Sequence, residues 1–196
     1  MAKLLGNLTY AVLLGVVLLL VVLFGFYGDM MQQNGAQFTN GFFRFLHVLC
    51  GIMWIGLLYY FNFVQIPTMP KVPAELKPGV SKYIAPEALF WFRWAAAFTV
   101  LTGLIVAMLS GYLIEALTLQ PGARVIGLGM WLALIMAFNV WFVIWPNQKK
   151  ALGLVDATPE VKAKAATTAM LFSRTNTVLS LPMLYCMVSQ GWLGGV

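Results

Sequence analysis

Charge is what this sequence has least of. Only 9% of its 196 residues are charged, against 61% hydrophobic, and the mean hydropathy is +0.86. A water-soluble domain carries about 25% charged residues. The shortage excludes a soluble domain and predicts an all-α, polytopic integral membrane protein. At about 20 residues per span, the chain has room for about five helices. Histidine occurs once, as His47, and cysteine twice, as Cys50 and Cys186. There is no C-x-x-C-H, so no covalent c-type haem attaches to these residues. There is no His/Cys cluster for zinc, no Gly-rich phosphate loop and no nucleophile elbow, which excludes the common soluble-enzyme chemistries. Both cysteines lie in apolar segments and read as small packed hydrophobes. The net charge of +6 reads as topology-setting lysines and headgroup contacts, not as nucleic-acid binding.

What is abundant is long apolar runs. They predict spans over about 8–27, 42–66, 88–113, 125–145 and 168–190, in one membrane domain covering 1–196. The first run is too long for a signal-peptide core and has no small-x-small cleavage site after it, so it reads as an uncleaved span. The polar stretch Asp29–Asn40 is expected along one membrane surface. Pro67, Pro70, Pro73, Pro78 and Pro86 predict an extended connection between the second and third spans. The Lys/Ala-rich stretch 161–170 is expected to prolong the fifth helix. With the N-terminus inside, eight lysines fall on the cytoplasmic side and only Arg44 and Arg124 outside, which assigns N-in and C-out.

The one histidine sits inside a membrane-length apolar segment. An ionisable ring in lipid is expensive and marks a function. Counting from Phe42, His47 lies about 7–8 Å below the outer interface. Helical spacing puts Arg44, His47, Gly51, Trp54 and Leu58 on one face. Gly51, one turn below, removes a side chain beside the ring, and Arg44, one turn above, is placed to pair with a propionate or another anion. One reading is a haem b with His47 as axial ligand to the iron. The other is a histidine hydrogen-bonded to a neighbouring helix, with Gly51 as a packing notch. Bundle haems usually have two histidine ligands. A second ligand here would be Met108, Met130 or Met187, or a group from a second subunit, or the iron would be five-coordinate.

A second polar set gathers at the predicted inner ends: Arg93, Asn147, Gln148, Arg174 and Asn176, with Asn62 and Gln65 nearby. Arginine and amide groups together suit a planar, anionic, hydrogen-bonding ligand. They also suit interfacial anchoring and interhelical hydrogen bonds. Asn139 is expected to bond a neighbouring helix. Pro182 is expected to kink the fifth helix, with Ser180 helping to satisfy the freed backbone.

Four stretches carry a family resemblance: R-F-L-H-V-L-C-G-I-M-W-I-G-L-L-Y-Y-F-N-F-V-Q, F-R-W-A-A-A-F-T-V-L-T-G, N-V-W-F-V-I-W-P-N-Q-K-K and S-R-T-N-T-V-L-S-L-P-M. In order from about Phe42 to Met187, they resemble the membrane domain of the bacterial, cytochrome-c-linked urate hydroxylases. That domain is also described as the N-terminal domain of a membrane urate oxidase. The resemblance implies a bacterial inner-membrane oxidoreductase that hydroxylates urate and passes electrons to a cytochrome c. The family's C-terminal cytochrome c domain has no counterpart in this sequence, so the expected acceptor is a separate cytochrome c. The inner polar set would hold an anionic substrate and His47 a redox centre. Two further readings are a non-catalytic accessory subunit of a larger respiratory or oxidase complex, or of a homo-oligomer, and a small-anion transporter. The transporter ranks last because no repeat pair or interrupted helix pair is evident.

Overall fold

The computed structural model describes residues 5–193, and every regular element among them is helical. The chain divides into two units, Met1–Phe42 and Phe43–Val196. The first holds helix α1, Leu8–Gln33, whose start is capped by the Asn7 side chain accepting from the Thr9 amide at 2.9 Å. Its 26 residues rise about 39 Å, enough to cross a hydrocarbon core of about 30 Å. Asp29–Asn40 is helical apart from Asn34. Helix α1 continues to Gln33, breaks only at Asn34 with φ −139° and ψ 56°, and α2, Gly35–Tyr59, starts at once. Helix formers such as Met30, Met31, Gln32 and Gln33 let the helix continue past the apolar run.

Among the described residues, four helical stretches are long and apolar enough to cross a membrane: Leu8–Gln33, Gly35–Lys71, Lys77–Leu109 and Arg124–Ala151. The expected fifth forms as a helix of 35 residues, Pro159–Leu193, but it is not among the four. Ser173, Asn176, Thr177 and Ser180 interrupt its apolar centre. Its start is capped by the Thr158 hydroxyl, which accepts from the Val161 amide at 3.4 Å. The Glu160 carboxyl in its first turn is held below the usual carboxylate range by its own backbone N–H and then by the Thr158 hydroxyl.

The Pro-rich connection is also corrected. It is helical over Ile66–Thr68, Met69–Lys71 and Lys77–Ile84, with a proline in the first two positions of each of the helical segments starting at Ile66, Met69, Lys77 and Ala85. At Pro78 the missing N–H falls in a first turn, which leaves it unused, whereas at Pro67 and Pro86 the helix runs on through the proline from a π-turn before it.

The remaining elements of the second unit are α3, Ala85–Leu109; α4, Leu113–Leu117; α5, Arg124–Phe138; α6, Trp145–Ala151; and α7, Pro159–Leu193. Three π-helical turns, Tyr60–Gln65, Val80–Ile84 and Asn139–Ile144, share one cause. Each ends one residue before the residue that precedes a proline. Ile66, Ala85 and Trp145 each donate to the carbonyl five residues back, at Phe61, Val80 and Val140. Proline at the next position clashes with the carbonyl four residues before it. Widening the turn by one residue moves that carbonyl aside and keeps the chain helical.

The core lies between α2, α3, α5 with its π-turn, and α7. Trp54, Leu58, Phe92, Met136 and Val140 are fully buried there. Helix α4 lies against α5 at Gly127, where a Cβ would run into the Ala116 carbonyl, so only glycine permits that approach. In lipid, burial itself contributes little, and packing and interhelical hydrogen bonds hold helices together. The asparagines on the π-turns that follow α2 and α5 both bond to α7. Asn62 Nδ2 donates to Ser173 Oγ at 2.8 Å, and Asn139 Nδ2 to Asn176 Oδ1 at 2.8 Å. Asn176 returns a hydrogen bond to the Met136 carbonyl at 2.9 Å. The expected interhelical role of Asn139 is therefore realised.

Asn176→Leu strands the Asn139 amide. It should lower the unfolding free energy in detergent micelles by about 1–2 kcal/mol. A double-mutant cycle with Asn139→Leu should return a coupling of about 0.6–1.7 kcal/mol; additive losses would contradict the paired role.

Candidate functional site

His47 leaves its own helix and reaches across to α3. Its Nδ1 donates to the Thr99 carbonyl at 2.8 Å. The Thr102 hydroxyl is 3.5 Å from the same nitrogen, at the edge of hydrogen-bond range. Nε2 has no partner among the described residues. The glycine beside the ring is Gly103 on α3, where a Cβ would stand 2.8 Å from His47 Cε1 and 3.0 Å from Nδ1. Gly51, the notch expected from spacing, instead faces Thr99, whose Cγ2 would lie 3.9 Å from a Cβ. The imidazole rests on the neighbouring helix at Gly103, a contact that spacing along one helix does not reach, while Gly51 faces that same helix and lines the cavity.

His47 lines a cavity of about 620 Å³, within the roughly 300–1,000 Å³ range of cofactor and small-molecule sites. Arg44, Gly51 and Trp54 line it too, so the predicted face of α2 is brought together. Leu58 is packed in the core at 0% exposure. Of the methionines weighed, Met130 and Met187 line the cavity and Met183 joins them; Met108 is 58% exposed and does not. Trp54 is 1% exposed and its Nε1 has no partner among the described residues. A buried unpaired donor costs about 1–3 kcal/mol, so an acceptor supplied by an occupant would relieve it. Tyr112 is a lining residue that spacing along α2 did not reveal.

Three things bear on a haem. One imidazole presents a free Nε2. Gly103 makes a flat wall beside it, and a buried indole N–H lacks an acceptor. These residues fit such a group. Among the described residues no set of three His, Cys, Asp or Glu side chains is gathered for a bare metal ion.

The members of the inner set differ in how they are engaged. Asn176 is fully buried and fully engaged with Asn139 and Met136. Asn147 Nδ2 donates to the Val143 carbonyl of its own helix at 2.8 Å, Gln148 is half-buried, and Arg174 is exposed. Arg93 is different. It is 9% exposed, its guanidinium lies 3.4 Å from the centroid of the Trp145 ring, and its NH1 has no partner among the described residues. Asn62 Oδ1 and Gln65 Oε1 are likewise buried and unpaired. Ser180, expected to serve Pro182, bonds the Thr177 carbonyl at 2.7 Å and the Tyr59 hydroxyl at 3.0 Å.

Sequence reasoning missed Thr99, Thr102, Gly103 and Tyr112. The signal for three of them was present in T-V-L-T-G, a run of small and polar residues within an apolar helix.

Residues 112–193 match the family described as urate oxidase N-terminal. The resemblance drawn from the sequence therefore stands over the C-terminal part of the chain. The matched stretch includes Asn147, Gln148, Arg174, Asn176 and the cavity residues Tyr112, Met130 and Met187. Arg44, His47 and Arg93 lie outside it. No curated protein and no solved structure matches the chain.

Proposed function

We propose that this chain is an integral membrane redox protein related to the urate oxidases, with His47 holding a haem b through Nε2. The family match over 112–193 supports a urate-oxidase-related protein. The observation that carries the haem reading is the His47–Thr99 hydrogen bond. A histidine that binds iron or zinc usually donates its other ring N–H to a carbonyl or carboxylate, which sets the tautomer and strengthens the ligand. His47 has that arrangement beside a cavity of cofactor size.

In this reading the chain has five spans, N-in and C-out, in a bacterial inner membrane. His47 lies in its outer half. A bound haem supplies one-electron chemistry there, with a cytochrome c as the acceptor. The chain's own residues do the rest. The Thr99 carbonyl holds the Nδ1 proton, Arg44 and Tyr112 supply positive charge and a hydroxyl for acidic substituents, and Trp54 offers its unpaired N–H. Apolar side chains along the cavity exclude water. Arg93, stacked on Trp145, is the member of the inner set best suited to an anionic substrate, since a desolvated guanidinium without an acidic partner favours an anion. Gln148 and Arg174 take lesser roles in holding it, while the amides of Asn147 and Asn176 are committed to helix contacts.

The visible spectrum of the purified protein tests the first half. A Soret band that disappears in His47→Ala is expected. A colourless protein that copurifies stoichiometrically with an oxidase complex overturns it in favour of the accessory-subunit reading. For the second half, Arg93→Gln should weaken binding of urate by about tenfold or more, with Arg174→Gln changing it less. Equal effects would remove Arg93 from the site.

A further inference from the structure

We infer that Gly103 and the Thr99 carbonyl form a seat on α3 that fixes both the tautomer and the orientation of His47, leaving Nε2 as the nitrogen offered to the cavity. The inference deepens the proposed reading of His47, but its structural half is measurable without any cofactor. In an α-helix each Cα–Cβ bond tilts toward the N-terminus, so a side chain overhangs the carbonyl one turn before it. At position 103 that overhang is missing, and the carbonyl one turn before it is that of Thr99. The imidazole occupies the gap. A methyl group at 103 would fall 2.8 Å from Cε1 and 3.0 Å from Nδ1, and 3.7 Å from Nε2. The ring cannot simply swing away, because its Nδ1 is anchored at 2.8 Å.

The chemistry of the anchor decides the tautomer. A carbonyl only accepts, so Nδ1 carries the hydrogen and the lone pair of the neutral ring is on Nε2. The Thr102 hydroxyl has a nearer acceptor: it donates to the Phe98 carbonyl at 2.6 Å, against 3.2 Å to the Thr99 carbonyl and 3.5 Å to Nδ1. The seat thus acts through His47 and makes Gly103 a positioning residue.

The single histidine makes the test direct. Full-length, cofactor-free protein in detergent micelles, carrying isotopically nitrogen-labelled histidine, gives signals from one ring only. Couplings to the ring protons tell the nitrogens apart: Nε2 couples to both, Nδ1 mainly to one. The wild type should show a protonated Nδ1 and a bare Nε2. Gly103→Ala should lose this pattern, while Thr102→Val should keep it. A wild-type ring protonated at Nε2, or averaging between tautomers, overturns the seat, as does a Gly103→Ala spectrum like the wild type. If Gly103→Ala fails to fold, the double variant His47→Ala/Gly103→Ala should fold, because the clashing ring is gone; failure of the double variant also overturns the seat. Titration with haem separates the two levels. Gly103→Ala should bind about tenfold more weakly than wild type. A wild type with the expected tautomer but no haem uptake supports the seat and overturns the haem.

Discussion

A backbone carbonyl that proline deprives of its helical partner, and that the proline ring crowds, has to be moved aside if the helix is to continue. That constraint shapes the second unit of this chain. The π-turns ahead of Pro67, Pro86 and Pro146 are the common response. On α2 and α5 the widened turn carries a buried asparagine, and each asparagine bonds to a polar side chain of α7. The last helix can be the least apolar of the long helices because its hydroxyls and amide meet partners, not lipid. Its polar centre and the two π-turns are therefore one arrangement.

The upper reach of α2 is regular, and this is where His47 lies. From Gly35 to Tyr59 the helix has its ordinary period. Arg44, His47, Gly51 and Trp54 consequently share a face and line one cavity. The ring then crosses to α3, so the site belongs to two helices. Its polar atoms come from the backbone of one and the side chain of the other. A histidine in lipid is tolerable when its N–H has an acceptor, and the Thr99 carbonyl provides one without adding another polar side chain.

How much of this was legible follows from the same geometry. The class was plain from the dearth of charge. The shared face of α2 was legible because no π-turn interrupts it. Past Tyr59, and again past Phe138, one extra residue rotates everything downstream by roughly a helical step of 100°, so spacing alone does not carry the face of either helix through to its C-terminal end. Asn147 and Arg174 were grouped with Arg93, yet one bonds its own helix and the other faces outward. The notch beside the imidazole was assigned to Gly51 because a single-helix argument has no access to Gly103. The helical course of the proline-rich segment was missed because the prolines were read as interruptions, when each sits at the start of a turn.

Trp145 draws these strands together. Its backbone N–H closes the π-turn against Val140, and its indole lies on the guanidinium of Arg93. Those two engagements belong to one residue, fixed in place by the proline that follows it. The charge on Arg93 is thus shielded by a ring whose height along the helix is set by main-chain geometry. Any rewinding of the turn to an ordinary α-helical step would carry the indole about 100° around the axis and leave the cation uncovered. In this protein the pitch of one helix and the environment of one buried charge are the same variable.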